Sequence, residues 1–92
     1  MANQFVISET GNGAMGNFIS REVFQSYGST IAEVVIWPDQ KDLVLDGTSW
    51  NYSRTTLKYL HQFLRSHRFN FTTDEIRKKI ESGEIKTANL DV

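Results

Sequence analysis

The feature that most constrains this chain is the close spacing of its β-prone runs. Phe5-Val6-Ile7, Phe18-Ile19, Val23–Tyr27, Thr30–Trp37 and Leu43-Val44-Leu45 all fall within residues 1–47. Parallel neighbours need a crossover of a dozen or more residues, usually a helix. Breaks this short therefore predict an antiparallel meander of about four strands. Turn signals stand between the runs: Gly11-Asn12-Gly13, Gly28-Ser29 and Asp46-Gly47. Thr30–Trp37 is the strongest strand, because Ile31, Val34, Val35 and Ile36 are mostly β-branched and suit a pleated surface. Its near-continuous apolar character predicts a central position, and Pro38 ends it, since proline cannot continue a ladder.

Beyond residue 47 the period changes. Ser53 is a good N-cap for a helix over 53–68, its hydroxyl accepting from an exposed backbone N–H. Leu57, Leu60, Phe63 and Leu64 form one apolar face at i, i+3, i+6 and i+7, with Tyr59 at its edge. Thr72 with Glu75 is a capping-box pattern for a second helix over 72–83. Ile76 and Ile80 are its apolar pair and Gly83 its stop. Lys86–Val92 reads as a loose tail. The expected fold class is α+β in a single domain, residues 1–92, with the helices packed on one face of the sheet. The other sheet face is then left to solvent or a partner.

Several classes are excluded by composition. The 92 residues contain no cysteine, which removes disulfide scaffolds, thiol catalysis and cysteine-type zinc sites. No apolar run reaches the roughly 18 residues of a membrane span. Met1–Gln4 lacks the basic and apolar regions of a secretory signal.

The net charge of -1 hides a partition. Residues 1–46 carry Arg21 and Lys41 against Glu9, Glu22, Glu33, Asp39, Asp42 and Asp46. Residues 47–92 carry eight basic and five acidic groups. Between Asn51 and Asn70 there is no acid at all. On a wheel of about 100° per residue, Arg54, Lys58, His61, Arg65 and Arg68 fall within an arc of about 80°. No i, i+4 carboxylate neutralises this stripe within the helix. The bland reading is a solvated face, with Arg65 and Arg68 complementing the helix dipole. The functional reading is a track of charge for a phosphate backbone or an acidic protein surface. Such a track reads phosphates rather than bases, since it holds none of the amide side chains that usually recognise adenine edges.

Other motifs are weaker. Gly11–Gly16 has no following Lys and leads into a strand, so it reads as a hairpin loop rather than a phosphate cradle. His61 and His67 point to different sides of the helix and lack a third ligand, so no zinc or other cofactor is expected. Ser53, Ser66, the two histidines and several Asp would permit a nucleophilic triad, but nothing marks a nucleophile turn. The residues thus predict a binding protein and no enzyme. Asn51-Tyr52-Ser53 and Asn70-Phe71-Thr72 match the glycosylation pattern, yet each ends in a helix-starting hydroxyl, which is the better reading.

Trp50–Leu60 followed by Gln62-Phe63-Leu64 resembles a pattern in small phage-encoded proteins: a Tyr-Ser, a Thr pair, a Lys or Arg, and a closing Phe-Leu. Asn12–Gly16 and Ser26–Ala32 resemble the same group, so the likeness spans about residues 12–64. The resemblance implies a protein made in a host bacterial cytoplasm that acts by binding a host complex. Its leading specific form is an anti-CRISPR protein that blocks target nucleic-acid binding by the effector. The basic helix could lie on guide RNA or acidic protein, and the acidic strand half could mimic nucleic acid. A phage nucleic-acid-binding regulatory protein is the alternative.

Overall fold

The computed structural model describes residues 4–11 and 18–90. Asn12–Gly16, and Asp91 and Val92 of the expected tail, lie outside the described residues. The elements run β1 (Gln4–Thr10), β2 (Ser20–Ser26), β3 (Ser29–Ile36), β4 (Lys41–Asp46), α1 (Arg54–Ser66), α2 (Thr73–Ser82) and β5 (Lys86–Ala88). One sheet holds all five strands in the order β1-β2-β3-β4-β5. The fold is α+β, with the expected meander antiparallel and β3 at its centre.

The sheet has one strand more than expected. Lys86–Ala88, read as loose tail, pairs parallel to β4 through Val44–Lys86, Leu45–Thr87 and Asp46–Ala88. The two helices supply the long crossover that a parallel neighbour requires. Ile85 is buried just before the strand and anchors its start. Just after it, the backbone N–H of Leu90 donates to the Asp46 carboxylate at 2.9 Å. Phe18-Ile19 is not a strand of its own: a single β2 begins at Ser20 and pairs with β1 over its whole length. The β2–β3 turn sits one residue earlier than expected, at Tyr27-Gly28, both with positive φ (52° and 82°). That is the signature of a two-residue type I′ turn, whose twist matches its flanking strands.

Side chains alternate across a strand, so the register sorts the sheet into two faces. Glu22, Phe24 and Ser26 of β2 share the helix side with Ala32 and Val34 of β3 and Leu43 and Leu45 of β4. A bulge lies opposite Phe24/Gln25: Phe24 faces Ala32 and Gln25 faces Thr30, leaving Ile31 as the extra residue. The bulge lets Ile31 and Ala32, adjacent in sequence, both be fully buried. Leu60, Phe63 and Leu64 of α1 and Ile76 of α2 close the core from above. The opposite face carries Phe5, Ile7, Val23, Val35 and Val44, and a forked Arg21–Glu33 pair at 2.9 and 3.1 Å.

Both helices begin as their sequences dictate. Ser53 Oγ accepts from the Thr56 N–H at 3.1 Å. Thr72 and Glu75 make the reciprocal capping box, and Gly83 ends α2 in the left-handed conformation. Asp46 organises the end of β4. Its carboxylate accepts from the backbone and hydroxyl of both Thr48 and Ser49 as well as from Leu90. Burial opposes its ionisation, but these hydrogen bonds to the charged form prevail and hold its pKa at about 2.

Candidate polyanion interface

Three contacts along β2 fix how α1 is rotated. At the helix start, Thr56 Oγ1 and Ser26 Oγ are 2.8 Å apart and both residues are fully buried. In the middle, the Phe63 ring stacks on Phe24 with centroids 5.7 Å apart. At the end, His67 Nε2 meets Glu22 Oε1 at 2.8 Å. Ser26, Phe24 and Glu22 are alternate residues of one strand face, and Thr56, Phe63 and His67 lie on one side of the helix. The helix therefore runs antiparallel to β2 and cannot turn about its axis without breaking all three. Lys41 Nζ adds a fourth tie by donating to the His67 carbonyl at 2.7 Å.

With the helix so held, Arg54, Lys58, Arg65 and Arg68 are all exposed. Arg54, Lys58 and Arg65 span about 17 Å along the axis at about 1.5 Å per residue, and Arg68 follows just past the helix end. Among the described residues, no carboxylate lies within ion-pair distance of any of the four. Lys58 lies over the Tyr59 ring, 5.5 Å from its centroid. His61 is drawn out of the stripe. It is half-buried and its Nε2 lies 3.1 Å from Thr73 Oγ1, which ties α1 to α2. The structure thus brings four of the five expected contact residues to solvent and gives the fifth an internal partner.

Arg68 has a further distinction. Its φ is +67°. It occupies the left-handed C′ position of α1, where its N–H donates to the Arg65 carbonyl and the Phe69 N–H to that of Leu64. This is the Schellman arrangement, in which glycine is the usual residue because a Cβ is strained there. The sequence wheel places Arg68 in the stripe but does not reveal that its backbone is left-handed.

The acids of the first half are differently situated. Arg21 reaches Glu33 and, at 3.9 Å, Glu9. Glu22 is taken by His67, Asp42 accepts from Trp37 Nε1 at 2.8 Å, and Asp46 is engaged in its turn. Only Asp39 of the six makes no side-chain hydrogen bond or ion pair among the described residues. In α2, Arg77 pairs with Asp74 and Lys79 with Glu84. The charge partition read from sequence is therefore not two opposed free surfaces. One sign is largely satisfied internally and the other stands free on α1.

A model of a family of unknown function, DUF8033, matches residues 1–82. The chain belongs to this family. No curated protein and no solved structure matches the chain. The family match covers both β1 and the whole of α1, so the strand edge and the basic stripe lie inside the family's extent.

Proposed function

We propose that this DUF8033 protein acts by binding, not catalysis, and that the exposed cations of α1 are its contact with a polyanionic partner. One observation carries the reading: three cations stand in a row on a helix of fixed rotation and a fourth follows at its C-terminal cap, none with a carboxylate partner among the described residues, in a chain whose acids are mostly engaged. A solvated face needs no such isolation, and i, i+4 carboxylates that would stabilise the helix are missing from it. The same contrast disfavours nucleic-acid mimicry by the strand half, because five of its six carboxylates already have hydrogen-bond or ion-pair partners.

The specific form we propose is an inhibitor of a host defence complex in the bacterial cytoplasm, a CRISPR effector above all, which it keeps from target nucleic acid. The support for that form is the resemblance of residues 12–64 to small phage-encoded proteins. A ribonucleoprotein offers both phosphate and acidic protein to a cationic helix. The test is a pull-down of the tagged protein from a CRISPR-bearing host, with and without nuclease. Effector subunits recovered after nuclease, and lost with the R54E/K58E/R65E variant, are the expected result. Recovery of nucleic acid alone, abolished by nuclease or salt, would replace this reading with that of a regulatory nucleic-acid-binding protein. Undiminished recovery by a folded triple variant would remove α1 from the mechanism.

A further inference from the structure

The two edges of the sheet are not alike. β5 is three residues long and carries Lys86, two of the usual devices that keep a strand edge from pairing. β1 is seven residues long and shows no Lys, no Pro and no bulge in its register with β2. Its Phe5, Val6 and Ile7 are 51%, 45% and 51% exposed. Three consecutive apolar residues present both faces of the strand to solvent, which a protected edge avoids.

The direction of the backbone groups follows from the hydrogen bonds. The Gly11 N–H donates to the Ile19 carbonyl across the end of the β1–β2 ladder. In an antiparallel ladder the bonded and non-bonded pairs alternate. Phe5, Ile7 and Glu9 therefore bond inward to β2. Gln4, Val6, Ser8 and Thr10 turn their N–H and C=O groups outward to the free edge.

We propose that this edge is the interface between two copies of the chain, joined antiparallel through β1 about a two-fold axis at Val6. The segment is symmetric in character about that residue: Gln4 and Ser8 polar, Phe5 and Ile7 apolar. In this register Val6 pairs with Val6 of the second copy, and Gln4 with Ser8, all through outward groups. Phe5 then stands opposite Ile7 at a non-bonded position, where side chains are closest. Glu9, the one charge on β1, falls outside this five-residue core, so no like charges meet.

Two further observations fit this occupant. The Gln4 side-chain Nε2 and Oε1 are buried with no hydrogen-bond partner among the described residues, and Ser8 of the second copy arrives beside Gln4 on the same face. A shallow groove lined by Val6, Phe24, Tyr59, Gln62, Phe63 and Ser66 runs between β1 and α1 on the helix side. Val6 of the second copy closes its open flank. The three exposed apolar side chains offer roughly 250 Å² per chain, about half of what each partner of a small specific interface buries. The strand edge and the groove walls Tyr59 and Gln62 supply the remainder. The ten-stranded sheet that results carries both α1 helices, and so both basic stripes, on one face. This inference stands whether or not the stripe has the partner proposed above.

The test uses the full chain, with mass measured by sedimentation across the micromolar range. The expected mass is twice the 10.6 kDa of one chain. Val6→Pro removes an outward N–H only and should return the single-chain mass with the strand order of the protomer intact. Ile7→Pro, which removes an inward N–H, should instead destabilise the protomer. The chain has no native cysteine, so Val6→Cys is a clean second probe. Bonded antiparallel pairs have Cα atoms about 5.5 Å apart, within disulfide reach. Oxidised Val6→Cys should run as a covalent dimer and Ser8→Cys should not. A single-chain mass at every concentration with no Val6→Cys cross-link, or an open series of larger species, overturns the proposal.

Discussion

Replacing Arg68 by glycine separates what that residue does for the fold from what it does for a partner. At φ +67° its Cβ is strained against the following carbonyl, a penalty of roughly 1–2 kcal/mol for an L-residue. Glycine removes the penalty and keeps both hydrogen bonds of the C-terminal cap, since these use only backbone atoms. Against this stands the greater freedom of glycine in the unfolded chain and the lost attraction of a cation to the helix C-terminus, together about 1 kcal/mol. The balance is a stabilisation of up to about 1 kcal/mol, or a few degrees in melting temperature for a domain of this size. Urea denaturation and calorimetry measure it. Binding should move the other way: with a phosphate partner, loss of one cation lowers the salt slope by about one ion and weakens affinity in step. A variant of lower stability would refute the backbone argument and mean that the guanidinium holds the fold. A stabilised variant with unchanged affinity and salt slope would refute its place in the contact.

Other perturbations probe the frame that holds the stripe. Thr56→Val breaks the bond to Ser26 and strands a fully buried hydroxyl, so it should cost about 1–3 kcal/mol in denaturant titrations. Asp46 is held at about 2 in the folded chain against an ordinary 3.8, so its contribution of about 2 kcal/mol is complete above pH 4 and disappears as pH falls through 2. Asp46→Asn should remove that amount at neutral pH and flatten this part of the acid-unfolding profile relative to the parent. Tyr27→Asn places a residue that tolerates positive φ at the first turn position and should raise the melting temperature by a few degrees.

The helices were legible because their signals are local. Ser53, the Thr72–Glu75 box and Gly83 lie within one turn of the ends they define, and each cap forms as the residue types require. The central strand was legible because β-branched residues crowd Thr30–Trp37. What escaped is non-local. β5 is three exposed residues, Lys-Thr-Ala, paired with a strand more than 40 positions earlier, and no composition marks such a segment. The edge position of β1 is a property of strand order: Phe5-Val6-Ile7 reads as an apolar strand wherever it sits, and only the sheet shows it exposed. The bulge at Ile31 escaped for the same reason, since two adjacent apolar residues can face one side only where a register slips. The stripe was legible as an angle on a wheel, but the wheel could not tell that His61 is taken by Thr73, twelve residues on.

The isolation of the stripe depends on pairings the sequence could not foretell. Glu22 lies 45 residues from the histidine it engages, and Arg21 is bracketed by acids from both neighbouring strands. Each such pair gives a carboxylate a partner without touching a cation of α1. The net charge of -1 then misstates what an approaching molecule meets. On the helix side it meets a cationic row without carboxylate partners among the described residues, over a sheet whose carboxylates are mostly hydrogen-bonded or ion-paired, and within a Debye length of about 8 Å the local row outweighs the total. A chain with the same composition but with α1 rotated by a quarter turn would bring the stripe towards the sheet carboxylates or α2 and pair it off. The contacts from Ser26, Phe24 and Glu22 prevent that rotation, so the fold of β2 is what makes the basic face of α1 available.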